Sequence, residues 1–157
     1  KAIGMLISEA LVKKLIASHI GTNANTVEQF NNKELEIEFV PQGTLAERIR
    51  CGGAGLGGVL SQTGLGTVVE DGKRKIEIDG KEYLLEMPLH ADIALIGASI
   101  CDDSGNCVYK GTTQNFNPMM ATAADLVIVE TKELVKVGDI PMEQVHTPGI
   151  YVNYIVK

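Results

Sequence analysis

A chain of 157 residues, 45% hydrophobic and 22% charged, has the size and composition of one globular domain and excludes a disordered protein or a multidomain enzyme. Fourteen Lys and Arg against 20 Asp and Glu leave a net charge of −6 with no basic run, which argues against nucleic acid or an anionic membrane as partner. Three cysteines, an odd number without a CxxC pair, argue against a disulfide framework or a zinc ribbon. With no signal-peptide pattern and no apolar run near the ~18–20 residues of a membrane span, the expected setting is a reducing cytoplasm.

In chain order, Lys14 to Ser18 reads as a strand and Asn23 to Asn32 as a helix. ELEIEFV then alternates, with Leu35, Ile37 and Phe39 on one face and Glu34, Glu36 and Glu38 on the other, a half-buried strand ended by Pro41. Thr44-Leu45-Ala46-Glu47 has the form of a capping box, so a helix is expected from there to about Cys51, where Gly52-Gly53 stops it. Gln42 and Gly43 thereby fall just outside the carboxyl end of a strand and beside a helix N-terminus, a position where ligands of open α/β sheets sit.

Further on, Asp71-Gly72 and Asp79-Gly80 read as tight turns separating the strands TVVE, KRKIEI and KEYLLEM, an antiparallel meander. Ala91 to Ile100 is expected as a strand, returned through Asp103-Ser104-Gly105-Asn106 to Cys107–Lys110, with Cys101 and Cys107 facing across the turn as reduced thiols. Asn117-Pro118 starts a short helix over Met119 to Ala124, Leu126 to Val129 is a central strand, and IYVNYIV a final one. The expected fold is α/β, an open, mainly parallel sheet flanked by helices with an antiparallel meander, in a single domain over 1–157.

The seventeen glycines concentrate between Gly52 and Gly66. CGGAGLGG contains G-x-G-x-x-G at Gly53, Gly55 and Gly58, but a dinucleotide fingerprint needs a strand before it and a helix after, and here a helix precedes. The density means that backbone approaches something closely: either the protein's own backbone, or a ligand or partner surface. His19, His90 and His146 lack metal-ligand spacing, Ser99 in GASIC lacks the last glycine of a nucleophile elbow, and the DDSGN turn lacks the closing Glu of a calcium loop. No nucleophile with a neighbouring base is visible, and no metal site.

PQGTLAERIRCGGAGLGG at Pro41 to Gly58, TGLGT at Thr63 to Thr67, IASHIGTN at Ile16 to Asn23, YKGTTQNFNP at Tyr109 to Pro118 and TPG at Thr147 to Gly149 keep an order that resembles the alpha (A) subunits of family I CoA-transferases. The sequence is most similar to those acting on acetate, butyrate and acetoacetate, and more distantly similar to succinyl-CoA:3-oxoacid CoA-transferase. Against that pattern the chain is expected to be N-terminally incomplete, because a first β–α unit with a glycine-rich loop finds no match. The family's catalytic glutamate lies in an E-x-G-x-x-G motif of the beta subunit. Glu70-Asp71-Gly72 is followed by Lys75 where the second glycine belongs, so Glu70 is expected to be a hairpin residue.

The resemblance therefore implies the non-nucleophile subunit of a heteromeric CoA-transferase, inactive without its beta subunit and assembled with it as two alpha and two beta chains. It implies a coenzyme A thioester as substrate and no permanently bound cofactor or metal. Gln42 would point into the site to donate to an oxyanion or a substrate carboxylate. Gly52, Gly53, Gly55, Gly57 and Gly58 would form a substrate or interface loop. The competing expectation is a non-catalytic acyl-CoA or sugar-phosphate binding domain on the same fold; an isomerase would need an acid/base set that the sequence lacks.

Overall fold

The computed structural model describes residues 3–157. Two groups of segments fold as units: the residues up to Leu45 together with Leu60–Leu85, and Ala46–Val59 together with Glu86–Lys157.

The first unit begins with helix α1 (Ile3–Ser8), followed by strand β1 (Lys14–Ala17), helix α2 (Ala24–Asn31) and strand β2 (Glu36–Phe39). Asn23 caps α2, its side chain accepting from the Thr26 N–H at 3.2 Å. A β–α–β crossover makes β1 and β2 parallel, in register from Lys14↔Glu36 to Ala17↔Phe39. Lys14 bridges the acidic face of β2 through Glu36 at 3.1 Å and Glu38 at 3.2 Å. The alternation of β2 holds where it is anchored: Leu35 is 2% exposed. It fails at Phe39, which is 43% exposed and lies edge-on to Phe30 with ring centroids 5.7 Å apart. A two-stranded sheet has too little cover to bury that end.

Helix α3 (Gln42–Gly53) starts two residues before the expected cap and ends two residues later. The Pro41 carbonyl already accepts the Leu45 N–H at 2.8 Å, so the helix begins at Gln42 and Thr44 lies inside its first turn. No capping box forms. Glu47 pairs instead with Arg50, at 2.9 Å to Nε and 2.8 Å to Nη2. The meander also needs correction. Its three strands are β3 (Val59–Ser61), β4 (Lys75–Ile78) and β5 (Lys81–Glu86), in the order β3-β5-β4, while Val68–Glu70 is a 3-10 turn. Asp79 and Gly80 both have positive φ, 51° and 71°, the two-residue turn that fits the twist of an antiparallel pair.

The second unit is built on parallel strands β6 (Ala91–Ala98), β9 (Ala124–Thr131) and β11 (Tyr154–Val156), with β9 in the centre as its apolar sequence implies. Beside them lie β7 (Ile100–Asp102), β8 (Cys107–Val108) and β10 (Leu134–Val135) in the order β10-β7-β8. Helix α4 (Asn117–Met120) is a single turn, shorter than expected at its end, because the Ala123 carbonyl is taken by the Ala91 N–H and Ala124 enters β9. Ala94, Ile96 and Ala98 of β6, Val127 and Val129 of β9, Cys101, Cys107, Tyr109 and Ala121 make the core. On the opposite face of β6, Ile93 and Leu95 are 56% and 65% exposed. No helix among the described residues is long and apolar enough to cross a membrane.

Candidate functional site

Ser18 follows β1 directly, and Gln42 follows β2 by three residues, so both leave the carboxyl ends of paired parallel strands. Their backbones are fixed from two sides. The Val40 N–H donates to the Ala17 carbonyl at 3.1 Å and Val40 is buried, while Thr44 and Leu45 anchor the first turn of α3 inward. Between these anchors Gln42 and Gly43 stand exposed, and the space beyond Gly43 is open.

Ser18 Oγ donates to Gln42 Oε1. With its carbonyl end occupied, the amide keeps two N–H donors on Nε2 for something else. The helix that begins at Gln42 adds a partial positive charge on the same side. Such an arrangement suits a carboxylate or a developing oxyanion. The expected placement of Gln42 at a strand end holds, with one change: it is the first residue of the helix rather than a loop residue ahead of it.

The glycine-rich run divides. A Cβ on Gly52 would collide with the Leu89 carbonyl oxygen, and one on Gly53 with the Thr122 side chain and backbone. These two glycines let the end of α3 approach the protein's own chain. Gly55 has φ 67° with nothing within 4 Å of where a Cβ would stand, Gly57 is equally open, and Gly58 has φ 145°. These three shape an exposed loop.

Most of the other chemically capable residues considered in the sequence are engaged within the fold. Glu70 accepts from Gly66 N–H at 2.6 Å and from Lys75 Nζ at 3.1 Å, and these partners hold its carboxyl below the usual range. It is a turn residue. Ser99 Oγ accepts from the Lys110 N–H at 3.0 Å and meets Thr113 Oγ1 at 2.9 Å. His146 Nδ1 accepts from the Tyr109 N–H at 3.0 Å, and His90 borders an apolar cavity of about 140 Å³. His19 is exposed near Gly21.

Cys101 and Cys107 do face each other, with Sγ atoms 3.8 Å apart, and burial pushes both thiols up, away from the reactive thiolate. Asp102 is 2% exposed. Burial would raise its pKa, yet bonds from Asn106 and Ser104 outweigh that and hold it low. Among the described residues no group of three or more His, Cys, Asp or Glu could hold a metal ion.

Sequence reasoning missed Ser18. It lies inside IASHIGTN as the last residue of the expected strand and the first after the observed β1, but its partner is 24 residues away and is found only through the β1–β2 pairing.

The family model described as coenzyme A transferase matches residues 2–157. The acetoacetyl-CoA:acetate/butyrate CoA transferase alpha subunit of Clostridium acetobutylicum is 61% identical over 155 residues, 99% of this chain and 71% of that one. The acetate CoA-transferase subunit alpha of Escherichia coli K12 is 52% identical over 154 residues, 98% of this chain and 70% of its own. Among solved structures, the acyl-CoA transferase of E. coli O157:H7, in a thioester complex with CoA, superposes with a TM-score of 0.88 at 24% identity, covering 99% of this chain and 36% of that one; at that identity the likeness is one of fold.

Proposed function

Because the chain belongs to the coenzyme A transferase family and corresponds in sequence to its alpha subunits, we propose that it is the non-nucleophile subunit of a heteromeric enzyme moving CoA between short-chain acids such as acetate, butyrate and acetoacetate. The reaction is a ping-pong exchange. A glutamate of the beta subunit attacks the acyl-CoA carbonyl, the CoA thiolate leaves, and a mixed acyl–glutamyl anhydride remains. The thiolate then attacks the glutamyl carbonyl and releases the first acid, leaving a glutamyl–CoA thioester that an incoming acid reverses. A carboxylate is a weak nucleophile, so the protein must position the reactants and stabilise each tetrahedral oxyanion. That is the task of the Gln42 Nε2 donors.

The observation that carries this reading is the exposed Gln42 amide, held at the carboxyl ends of β1 and β2 with its carbonyl already engaged by Ser18. The loop of Gly55, Gly57 and Gly58 faces substrate or the beta subunit, with Gly52 and Gly53 fixing its base. The complex is a cytoplasmic heterotetramer of two alpha and two beta chains, and the chemistry calls for no metal or redox group. Co-expression with the beta subunit and an assay of CoA exchange between acetoacetyl-CoA and acetate tests it. Exchange by the pair, none by this chain alone, and a trapped CoA thioester mapped by mass spectrometry to the beta subunit are expected. Covalent CoA on any glutamate between Glu9 and Glu143 overturns the assignment.

A further inference from the structure

We propose that Ser18 is a positioning residue that sets which end of the Gln42 amide meets the reacting charge; this rests on the reading of Gln42 given above. The two ends of a carboxamide have nearly the same shape and opposite chemistry, and a half-turn exchanges donors for an acceptor. An exposed glutamine with no partner samples both. Here the Ser18 hydroxyl donates to Oε1, and among the described residues nothing accepts from Nε2. The amide is therefore turned with both N–H bonds outward. In the opposite orientation the carbonyl oxygen would face the developing negative charge and repel it.

The juxtaposition follows from the topology. In-register pairing of Ala17 with Phe39 and the Val40–Ala17 backbone bond bring the residue after β1 beside the start of α3. Both side chains are exposed, so the bond buries no surface and contributes little to holding the fold. What it holds is the amide orientation seen here, with Oε1 toward Ser18.

The test uses the assembled enzyme, this chain co-expressed with the nucleophile-bearing subunit. Ser18→Ala is expected to lower kcat about three- to tenfold, the worth of one neutral hydrogen bond, with KM and melting temperature little changed. Ser18→Thr keeps the hydroxyl and should retain most of the rate. Ser18→Asp accepts from Nε2, turns the carbonyl outward, and should fall toward the level of Gln42→Ala. In a Gln42→Ala background, Ser18→Ala should cost nothing more. Wild-type kcat for Ser18→Ala in an enzyme that Gln42→Ala impairs overturns the proposal, as does an equal Ser18→Ala loss in both backgrounds or a loss of stability with normal turnover. Wild-type kcat for Gln42→Ala is a different outcome, which overturns the Gln42 reading and Ser18 with it.

Discussion

The β7–β8 turn region of the second unit and the strand ends of the first use their polar side chains in opposite ways. In the second, the buried polar groups are committed to the fold: Asp102 accepts from Ser104 and Asn106, Tyr109 OH meets Thr147 Oγ1 at 2.8 Å, and Thr131 Oγ1 donates to the Glu133 carbonyl at 2.9 Å. In the first, Ser18 and Gln42 at the ends of β1 and β2 are exposed, and the Gln42 amide is bonded at one end only. Hydrogen-bonding capacity is thus used up around the β7–β8 turn and left over at the Gln42 amide. Capacity left over at an exposed strand end, on a backbone fixed from both sides, is what a ligand can use.

Gln42→Ala in the assembled enzyme should lower kcat by about 10²–10³-fold, the range for losing one oxyanion donor, with no matching fall in melting temperature. On the proposed mechanism Gln42→Glu should be at least as harmful, since it removes the donor and would set a negative charge beside the carboxylate nucleophile and carboxylate substrate proposed above. Normal turnover with reduced assembly or stability would make the amide a structural group like those of the second unit.

Asp102 gives the opposite outcome. Its carboxylate takes four hydrogen bonds of 2.8–3.0 Å from Ser104 and Asn106, which close the β7–β8 turn. Asp102→Ala should cost about 2–4 kcal/mol of stability, by loss of charge-assisted bonds that leaves the Ser104 and Asn106 donors without their acceptor. Because the folded-state pKa lies below the unfolded value of about 3.9, stability from this group is present above that pH and lost as pH falls through the lower folded value. The pH dependence of chemical denaturation below about pH 4 should be flatter in Asp102→Asn than in the wild type. An unchanged acid limb would show that the turn does not depend on the ionised form.

Local turn chemistry and alternation made much of the fold legible in the sequence. The Asp79-Gly80 turn, the return through Asp103–Asn106 and the central place of β9 all follow from short-range patterns. Misreadings occurred where a local bond competed with the pattern. Thr67 Oγ1 accepts from the Val69 N–H at 3.2 Å, which turns TVVE into a 3-10 segment although its residues favour strand. The capping box was displaced because Pro41 supplies the first helical carbonyl. The strand-end placement of Gln42 was legible from strand, proline and helix in succession. Ser18 was not, since no local signal records a partner 24 residues on.

Gly52 and Gly57 belong to the same glycine-rich run, and composition alone treats them alike. A side chain on Gly52 would meet the Leu89 carbonyl, a backbone group that β6 and the Leu89–Arg48 bond leave little room to move. Gly52→Ala should therefore destabilise by about 1–3 kcal/mol, the cost of overpacking. Nothing lies within 4 Å of a Cβ on Gly57, and its φ is not in the left-handed region. Gly57→Ala should change stability by no more than about 0.5 kcal/mol in either direction. If that loop faces acyl-CoA or the beta subunit, the same substitution should still raise KM or weaken assembly, because the added methyl occupies space that is open only in the isolated chain. Denaturant melts of the isolated chain together with kinetics of the complex separate the two positions. Equal destabilisation at both would mean that the whole run serves internal packing, and an inert Gly57→Ala by every measure would remove the loop from the site.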